Sequence, residues 1–268
     1  MNISIFNLLK IFIIISTIIY NSVYTYKIDK CDLILKAKLC KICYSKTNKL
    51  NISRNKMTRI YDNYIFINET STRTISYLFY NKNQIDIFFK GTSNMKDNYF
   101  NFDIYPKSYL SPFIKIHHGF LSKYLSLKEV LLRNINDIMN NGTIRKITCN
   151  GHSSGGAIAS IAIIDIYNEL NIMKINDILI ESITFGSPRV GNNEFVKIYN
   201  KCVNKSLRVV NWNDIIQYVP PPIPFLYKHI HHPLKLNECK KIYNINLYKY
   251  VKTSHGISKY IKNIITCN

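Results

Sequence analysis

The chain has little acid. Sixteen Asp and Glu stand against 36 Lys and Arg in 268 residues, a formal net charge of +20. A cationic excess of this size suits nucleic acid, anionic lipid or an acidic glycan. The lysines, however, are scattered rather than gathered into a block, and no RNA- or DNA-binding motif accompanies them. No nucleic-acid partner is therefore expected. The surplus of Lys, like that of Ile, Asn and Tyr, reads as codon bias filling surface positions. The chain also lacks an internal repeat and a linker, which points to one domain. It lacks the composition of a disordered protein, being 47% hydrophobic and 19% charged. The N-terminal apolar run, Ile11 to Tyr20, falls short of a comfortable membrane span.

That run has the length of a signal-peptide core. Lys10 precedes it, and the small residues Ser22 and Thr25 follow near a plausible cut. Residues 1–25 are read as a secretory signal peptide, with an uncleaved anchor as the alternative, and residues 26–268 as a single domain. The expected destination is extracellular or lumenal, where disulfides persist. Seven cysteines are present: Cys31, Cys40, Cys43, Cys149, Cys202, Cys239 and Cys267. Cys149 lies in the apolar stretch "IRKITCN" and is expected to be a buried, inert thiol. The other six could form three bridges. Cys40 and Cys43 make a C-x-x-C with no thioredoxin-like pattern around it, so a local disulfide is expected there. Sequons at Asn51, Asn68, Asn141 and Asn204 fit a secretory route.

Strand and helix patterns alternate along the rest of the chain. Asp32 to Ser45 has helical character. "QIDIFFK" (84–90) alternates as a strand and ends at Gly91. Leu121 to Asn140 reads as a helix closed by "NNG". "TIRKITCN" is a strand, "SSGGAIASIAIIDIYNEL" a long helix, and "ILIESITF" and "LRVVN" two more strands. "TSHGISKYIKNII" is a loop passing into a final helix. Such alternation implies a largely parallel α/β sheet, whose sites gather at the C-terminal ends of the strands. Gly91, Ser153, Gly186 and Asp214 all fall at such ends.

Two serines stand side by side in "TCNGHSSGGAIAS" (148–160). G-x-S-x-G places a serine on a tight strand-to-helix bend that lifts its hydroxyl clear of the sheet. The flanking positions must be glycine because the helix backs closely on the strand. Ser153 has Gly151 and Gly155 at those offsets, whereas Ser154 has His152 two residues before it. Ser153 is therefore the candidate nucleophile, and the backbone N–H of Ser154 a candidate oxyanion donor. The hydroxyl needs a base, and the base an orienting acid. In the chain order Ser, Asp, His, the fitting residues are Asp214, at a strand end, and His255, in the loop before the last helix. Neighbouring side chains on a tight turn diverge, so His152 is read as a structural polar group.

With these residues in place, the chain resembles the class 3, or fungal-type, lipases of the α/β-hydrolase fold, over roughly residues 30–268. Seven short motifs run in that family's order. They are "FKGT" (89–92), "HHGF" (117–120), "NGHSSGGAIAS" (150–160), "TFGSPRVGN" (184–192), "RVVNWNDII" (208–216), "VPP" (219–221) and "SHGISKY" (254–260). The resemblance implies an α/β-hydrolase fold with a mostly parallel central sheet flanked by helices. It sets nucleophile, acid and base on Ser153, Asp214 and His255, and adds Thr92 as the other oxyanion donor. One departure is visible: the family usually has Leu after the nucleophile, and this chain has Ser154. Only its backbone N–H is required of it, while its polar side chain would alter acyl-chain preference. Similarity to secreted members suggests a bridge between Cys31 and Cys267, which leaves Cys202 to pair with Cys239.

The family's mobile lid falls on the stretch after Thr92, where Met95, Tyr99 and Phe102 lie near helical spacing. An ordinary surface helix is the alternative. The apolar loop "PPPIPFLY", with Pro222 and Phe225, joins it as an expected lipid-facing rim. His229, His231 and His232 look like a metal cluster by composition, yet no carboxylate or Cys ligand is set beside them at helical spacing, and no metal or organic cofactor is expected. The implied activity is that of a secreted, monomeric serine hydrolase. It would cleave lipid carboxylic esters at a membrane or droplet surface, in the manner of a triacylglycerol lipase. A phospholipase, lysophospholipase or acyltransferase would use the same triad, and a catalytically silent lipid-binding module is the alternative from another class.

Overall fold

The structure is a computed structural model that describes residues 29–45, 60–92, 103–222, 226–231, 233–236 and 254–266. The expected leader, the lid residues Met95, Tyr99 and Phe102, and Phe225, His232, Cys239, Cys267 and Asn51 lie outside the described residues.

Seven strands form the central sheet. They are β1 (Asn63–Glu69), β2 (Thr74–Tyr80), β3 (Gln84–Phe89), β6 (Lys146–His152), β7 (Leu179–Phe185), β8 (Lys205–Asn211) and β9 (Pro233–Leu236), in the order β1-β2-β3-β6-β7-β8-β9. The first three pair antiparallel, and from β3 onward every pairing is parallel. A separate hairpin consists of β4 (Pro106–Tyr109) and β5 (Ser111–His117). The helices are α1 (Lys30–Ile42), α2 (His118–Asn140), α3 (Ser154–Ile172), α4 (Asn193–Cys202) and α5 (Ile257–Thr266). This is the α/β-hydrolase fold, with a mostly parallel sheet covered on both faces.

Strand β3 shows how the two-residue period builds two cores. Ile85, Ile87 and Phe89 join a cluster with Leu121, Tyr124 and Leu131 of α2 and Ala157, Ile158 and Ile161 of α3. Phe88 points the other way, into a cluster with Leu33 of α1, Phe79 of β2, Phe185 of β7 and Tyr260 of α5. Helix α3 is apolar nearly all round and buried from Ser154 through Ile166, as a helix sandwiched between sheet and neighbouring helices must be. Helix α1 is pinned to the sheet by a buried ion pair, Lys36 with Asp86, whose carboxylate also accepts from Tyr61 and Thr148. No described helix is long and apolar enough to cross a membrane.

The elements read from sequence are present, with α2 beginning at His118 rather than Leu121. The sequence reading lacked β1, β2, the β4–β5 hairpin, α4 and β9. Cys149 is a fully buried thiol, as expected. The local bridge between Cys40 and Cys43 is not formed: both stand as free, buried thiols. Cys40 lies within α1 and Cys43 at its C-cap, where the Cys43 Sγ donates to the Leu39 carbonyl at 3.4 Å, back along the helix. Burial pushes the Cys43 thiol up to about 12, which keeps it protonated. Cys31 and Cys202 form no bridge among the described residues. Asn68, Asn141 and Asn204 are exposed.

Candidate active site

The chain turns from β6 into α3 at Ser153, which has φ 60° and ψ −134°, a backbone state that L-residues with a side chain rarely adopt. Three contacts hold it there. Ser153 N–H donates to the Phe185 carbonyl of β7 at 2.9 Å, and Gly156 N–H donates to the Ser153 carbonyl at 2.9 Å. The third is steric. A Cβ on Gly151 would overlap the Gly155 backbone, and one on Gly155 would overlap the Phe89 carbonyl of β3. Both glycines are needed because α3 leaves the sheet with no room for a side chain between helix and strand.

Asp214 sits just past the end of β8 and is fully buried. Its Oδ1 accepts from Ile216 N–H at 2.9 Å. Its Oδ2 accepts from His255 Nδ1–H at 2.7 Å and from the Tyr260 hydroxyl at 2.5 Å. Burial alone would push this carboxyl up. The His255 charge and hydrogen bond, together with the Tyr260 and Ile216 bonds, outweigh burial and hold it below the ordinary carboxylate value. An ionised Asp214 fixes His255 as the tautomer with Nδ1 protonated, leaving Nε2 as an acceptor. That Nε2 is buried and makes no hydrogen bond among the described residues. Acid and base are thus brought together, while the Ser153–His255 bond is not formed in this state. Catalytic hydrogen bonds commonly tighten only when substrate is bound.

His152, read from sequence as structural, ties the Ser153 turn to His255. Its Nε2 lies 2.6 Å from the His255 carbonyl, and its Nδ1 lies 2.9 Å from the Tyr44 hydroxyl. The carbonyl can only accept, so Nε2 carries the proton and Tyr44 donates to Nδ1. The two imidazole rings stand 4.6 Å apart, centre to centre. Burial, then the neighbouring His255 charge, pulls His152 down to about 3, so it stays neutral.

Thr92 follows β3, and its N–H and Oγ1 lie 3.0 and 3.1 Å from the Ser154 Oγ. Lys123 Nζ of α2 stands 3.5 Å from the Thr92 Oγ1. Pro222 is exposed. Sequence reasoning missed Tyr260, although it closes the motif "SHGISKY" five residues after His255. Gly186, placed from sequence at a strand end, has a φ of +57°, and a Cβ on it would lie 2.5 Å from Asp214 Oδ2. The positive φ at the end of β7 had a signal in the Gly of "TFGSPRVG".

Known proteins resemble this chain in sequence and in fold. The family profile for lipase (class 3) matches residues 86–223. A lipase of Rhizomucor miehei is 27% identical over 178 residues, covering 65% of this chain and 46% of that protein. A secreted mono- and diacylglycerol lipase of Malassezia globosa is 30% identical over 124 residues, covering 46% of this chain and 39% of its own length. A chloroplastic phospholipase A(1) of Arabidopsis thaliana is 35% identical over 111 residues, covering 39% and 24%. The chain thus spans about half the length, or less, of these relatives. Among solved structures, the Rhizomucor miehei triacylglyceride lipase superposes with TM-score 0.67 at 22% identity, covering 76% of this chain and 79% of that one. The lipase of Rhizopus microsporus var. chinensis does so with TM-score 0.66 at 22% identity, covering 80% and 75%. Likeness at that identity establishes the fold.

Proposed function

The chain belongs to the class 3 lipases, and from that membership we propose that it is a serine hydrolase of lipid carboxylic esters. In this reading Ser153 is the nucleophile, His255 the base and Asp214 the acid. The observation that carries it is the buried Asp214–His255 pair at 2.7 Å, which leaves Nε2 without a hydrogen bond among the described residues, in a ring 4.6 Å from that of His152, the residue before Ser153.

The chemistry follows from those atoms. The Ser153 Oγ attacks the ester carbonyl carbon while its proton passes to His255 Nε2. The imidazolium so formed is stabilised by the Asp214 carboxylate, whose own charge Tyr260 and Ile216 already hold in place. The backbone N–H groups of Thr92 and Ser154 receive the oxyanion of the tetrahedral intermediate, each such donor lowering the barrier by about 3 kcal/mol. The intermediate collapses, the C–O bond to the alcohol breaks, and His255 Nε2–H protonates the leaving oxygen. Water then attacks the acyl-enzyme with His255 as base, and Ser153 is released with the free acid.

The substrate is proposed to be an acylglycerol presented at a lipid surface. Trp212 and Tyr218, which flank Asp214 in the chain, are 61% and 56% exposed, an arrangement suited to an apolar rim rather than to a soluble ester. A secretory, extracellular or lumenal setting and a monomeric enzyme are part of the same reading. A hydrolysis panel of triacylglycerols, phospholipids and soluble short-chain esters tests it. Wild type is expected to favour acylglycerols, and Ser153→Ala to lose at least a thousandfold on all three. A fluorophosphonate probe should label wild type and spare Ser153→Ala. Preference for phospholipid would move the assignment to the activity named for the Arabidopsis relative, and activity that survives the substitution would refute the triad.

A further inference from the structure

Ser154 brings a hydroxyl to the position directly after the proposed nucleophile, and the hydroxyl is engaged. It is 4% exposed, and both hydrogen-bonding groups of Thr92 meet it, the N–H at 3.0 Å and the Oγ1 at 3.1 Å. The Thr92 N–H can only donate, so the Ser154 Oγ accepts from it. The two hydroxyls share the second bond, and the Thr92 Oγ1 also accepts from Lys123 Nζ at 3.5 Å.

The Thr92 N–H is the donor that the proposed mechanism aims at the oxyanion once the substrate's carbonyl is attacked, and here it is held by a buried hydroxyl oxygen. We infer that the Ser154 hydroxyl is an internal occupant of the oxyanion site: it holds the Thr92 N–H in the resting state, and the substrate's oxygen must displace it before attack. The inference rests on the Ser153 triad reading above and extends it to a residue that sets how readily the site accepts its substrate. Displacement needs only rotation of the Ser154 side chain. Its backbone N–H remains in place as the second donor. The device keeps the Thr92 N–H satisfied when no substrate is bound, at the expense of a competing hydrogen bond during catalysis.

Ser154→Ala removes the occupant and keeps the backbone donor. Its kcat/KM on a soluble ester is expected to rise about two- to tenfold, the scale of one or two competing hydrogen bonds. The inhibition constant of a trifluoromethyl ketone, which forms an oxyanion at the same place, should tighten by the same factor. Rates of fluorophosphonate labelling, read per labelled site, give the same comparison in the folded fraction alone. A fall in kcat/KM and labelling rate with a rise in the inhibition constant would mean that the hydroxyl donates to the oxyanion instead, and no change would mean that it never occupies the site. Either result overturns the inference. Ser153→Ala, run in parallel, separates the two readings: if it retains activity and labelling, the triad itself is wrong.

Discussion

Asp214 remains an anion at 0% exposure because three donors converge on it: His255 and Tyr260 on Oδ2, and Ile216 N–H on Oδ1. Tyr260 does double service, since its oxygen also accepts from Asn211 N–H at 3.2 Å. Tyr260→Phe leaves that N–H unpaired and takes one donor from the carboxylate. We expect kcat to fall about three- to tenfold with KM unchanged, and stability to drop by about 1–2 kcal/mol, read by steady-state kinetics and urea unfolding. The sign of the acid response follows. A carboxyl held below its unfolded value stabilises the fold above about pH 4, and that contribution is lost as pH falls through the folded value. Removing the Tyr260 donor raises the Asp214 pKa, so this contribution shrinks in the variant. The proposed nucleophile, acid and base were picked from the sequence because each ends a strand or fills a loop in a recognisable order. Tyr260 was not, since a tyrosine in an amphipathic helix carries the same signal whether it fills a core or holds a carboxylate. Ser154 was legible only as a backbone donor; that its hydroxyl reaches Thr92, 62 residues earlier, depends on how β3 lies against β6.

The helix–strand contact at the nucleophile turn is as tight as backbone allows. Gly155 lies against the Phe89 carbonyl, and Gly151 against Gly155, so α3 cannot move outward without carrying Ser153 off its bend. Gly155→Ala is expected to lower stability by about 2–4 kcal/mol and to abolish probe labelling even in the folded fraction, because relief of the clash displaces the turn. A variant that keeps wild-type melting and labelling would show that the contact yields more easily than its geometry indicates. The same scale explains which elements the sequence revealed. Strands β3, β6, β7 and β8 are apolar runs ended by turn residues, and α2 and α3 carry long periodic patterns. Strands β1 and β2, "NYIFINE" and "TISYLFY", mix polar and apolar residues on an antiparallel margin where part of one face stays open. Helix α4 spans ten residues, too few for its period to stand out in an Asn- and Lys-rich chain. The C-x-x-C misled for a related reason: sequence spacing cannot show that Cys40 lies within a helix that Cys43 caps, with the Cys43 thiol turned to the Leu39 carbonyl.

At the level of the whole molecule, the excess of basic over acidic residues makes the response to acid a test of what lies inside. Three histidines are held neutral, chiefly by burial: His117 is pulled down to about 4, and His152 and His229 each to about 3. In the unfolded chain each returns to about 6.5. Their contribution to stability is therefore present above about pH 6.5 and fades as pH falls, because the unfolded state takes up protons that the folded state refuses. The slope reaches about 1.4 kcal/mol per pH unit for each histidine, so several kcal/mol should be lost between about pH 7 and about pH 5. Repulsion among the lysines acts in the same direction, since protonation adds to a charge that already stands at +20. Salt separates the two causes. Surface repulsion is screened within roughly 10 Å at ordinary ionic strength and within about 3 Å at 1 M, whereas the desolvation of a buried imidazole is not screened. Urea unfolding at several pH values, in low and in high salt, should give a curve that salt raises but does not flatten. A curve that becomes level between about pH 7 and about pH 5 in high salt would assign the acid sensitivity to the lysine surface, and would mean that the three histidines can be protonated inside the fold.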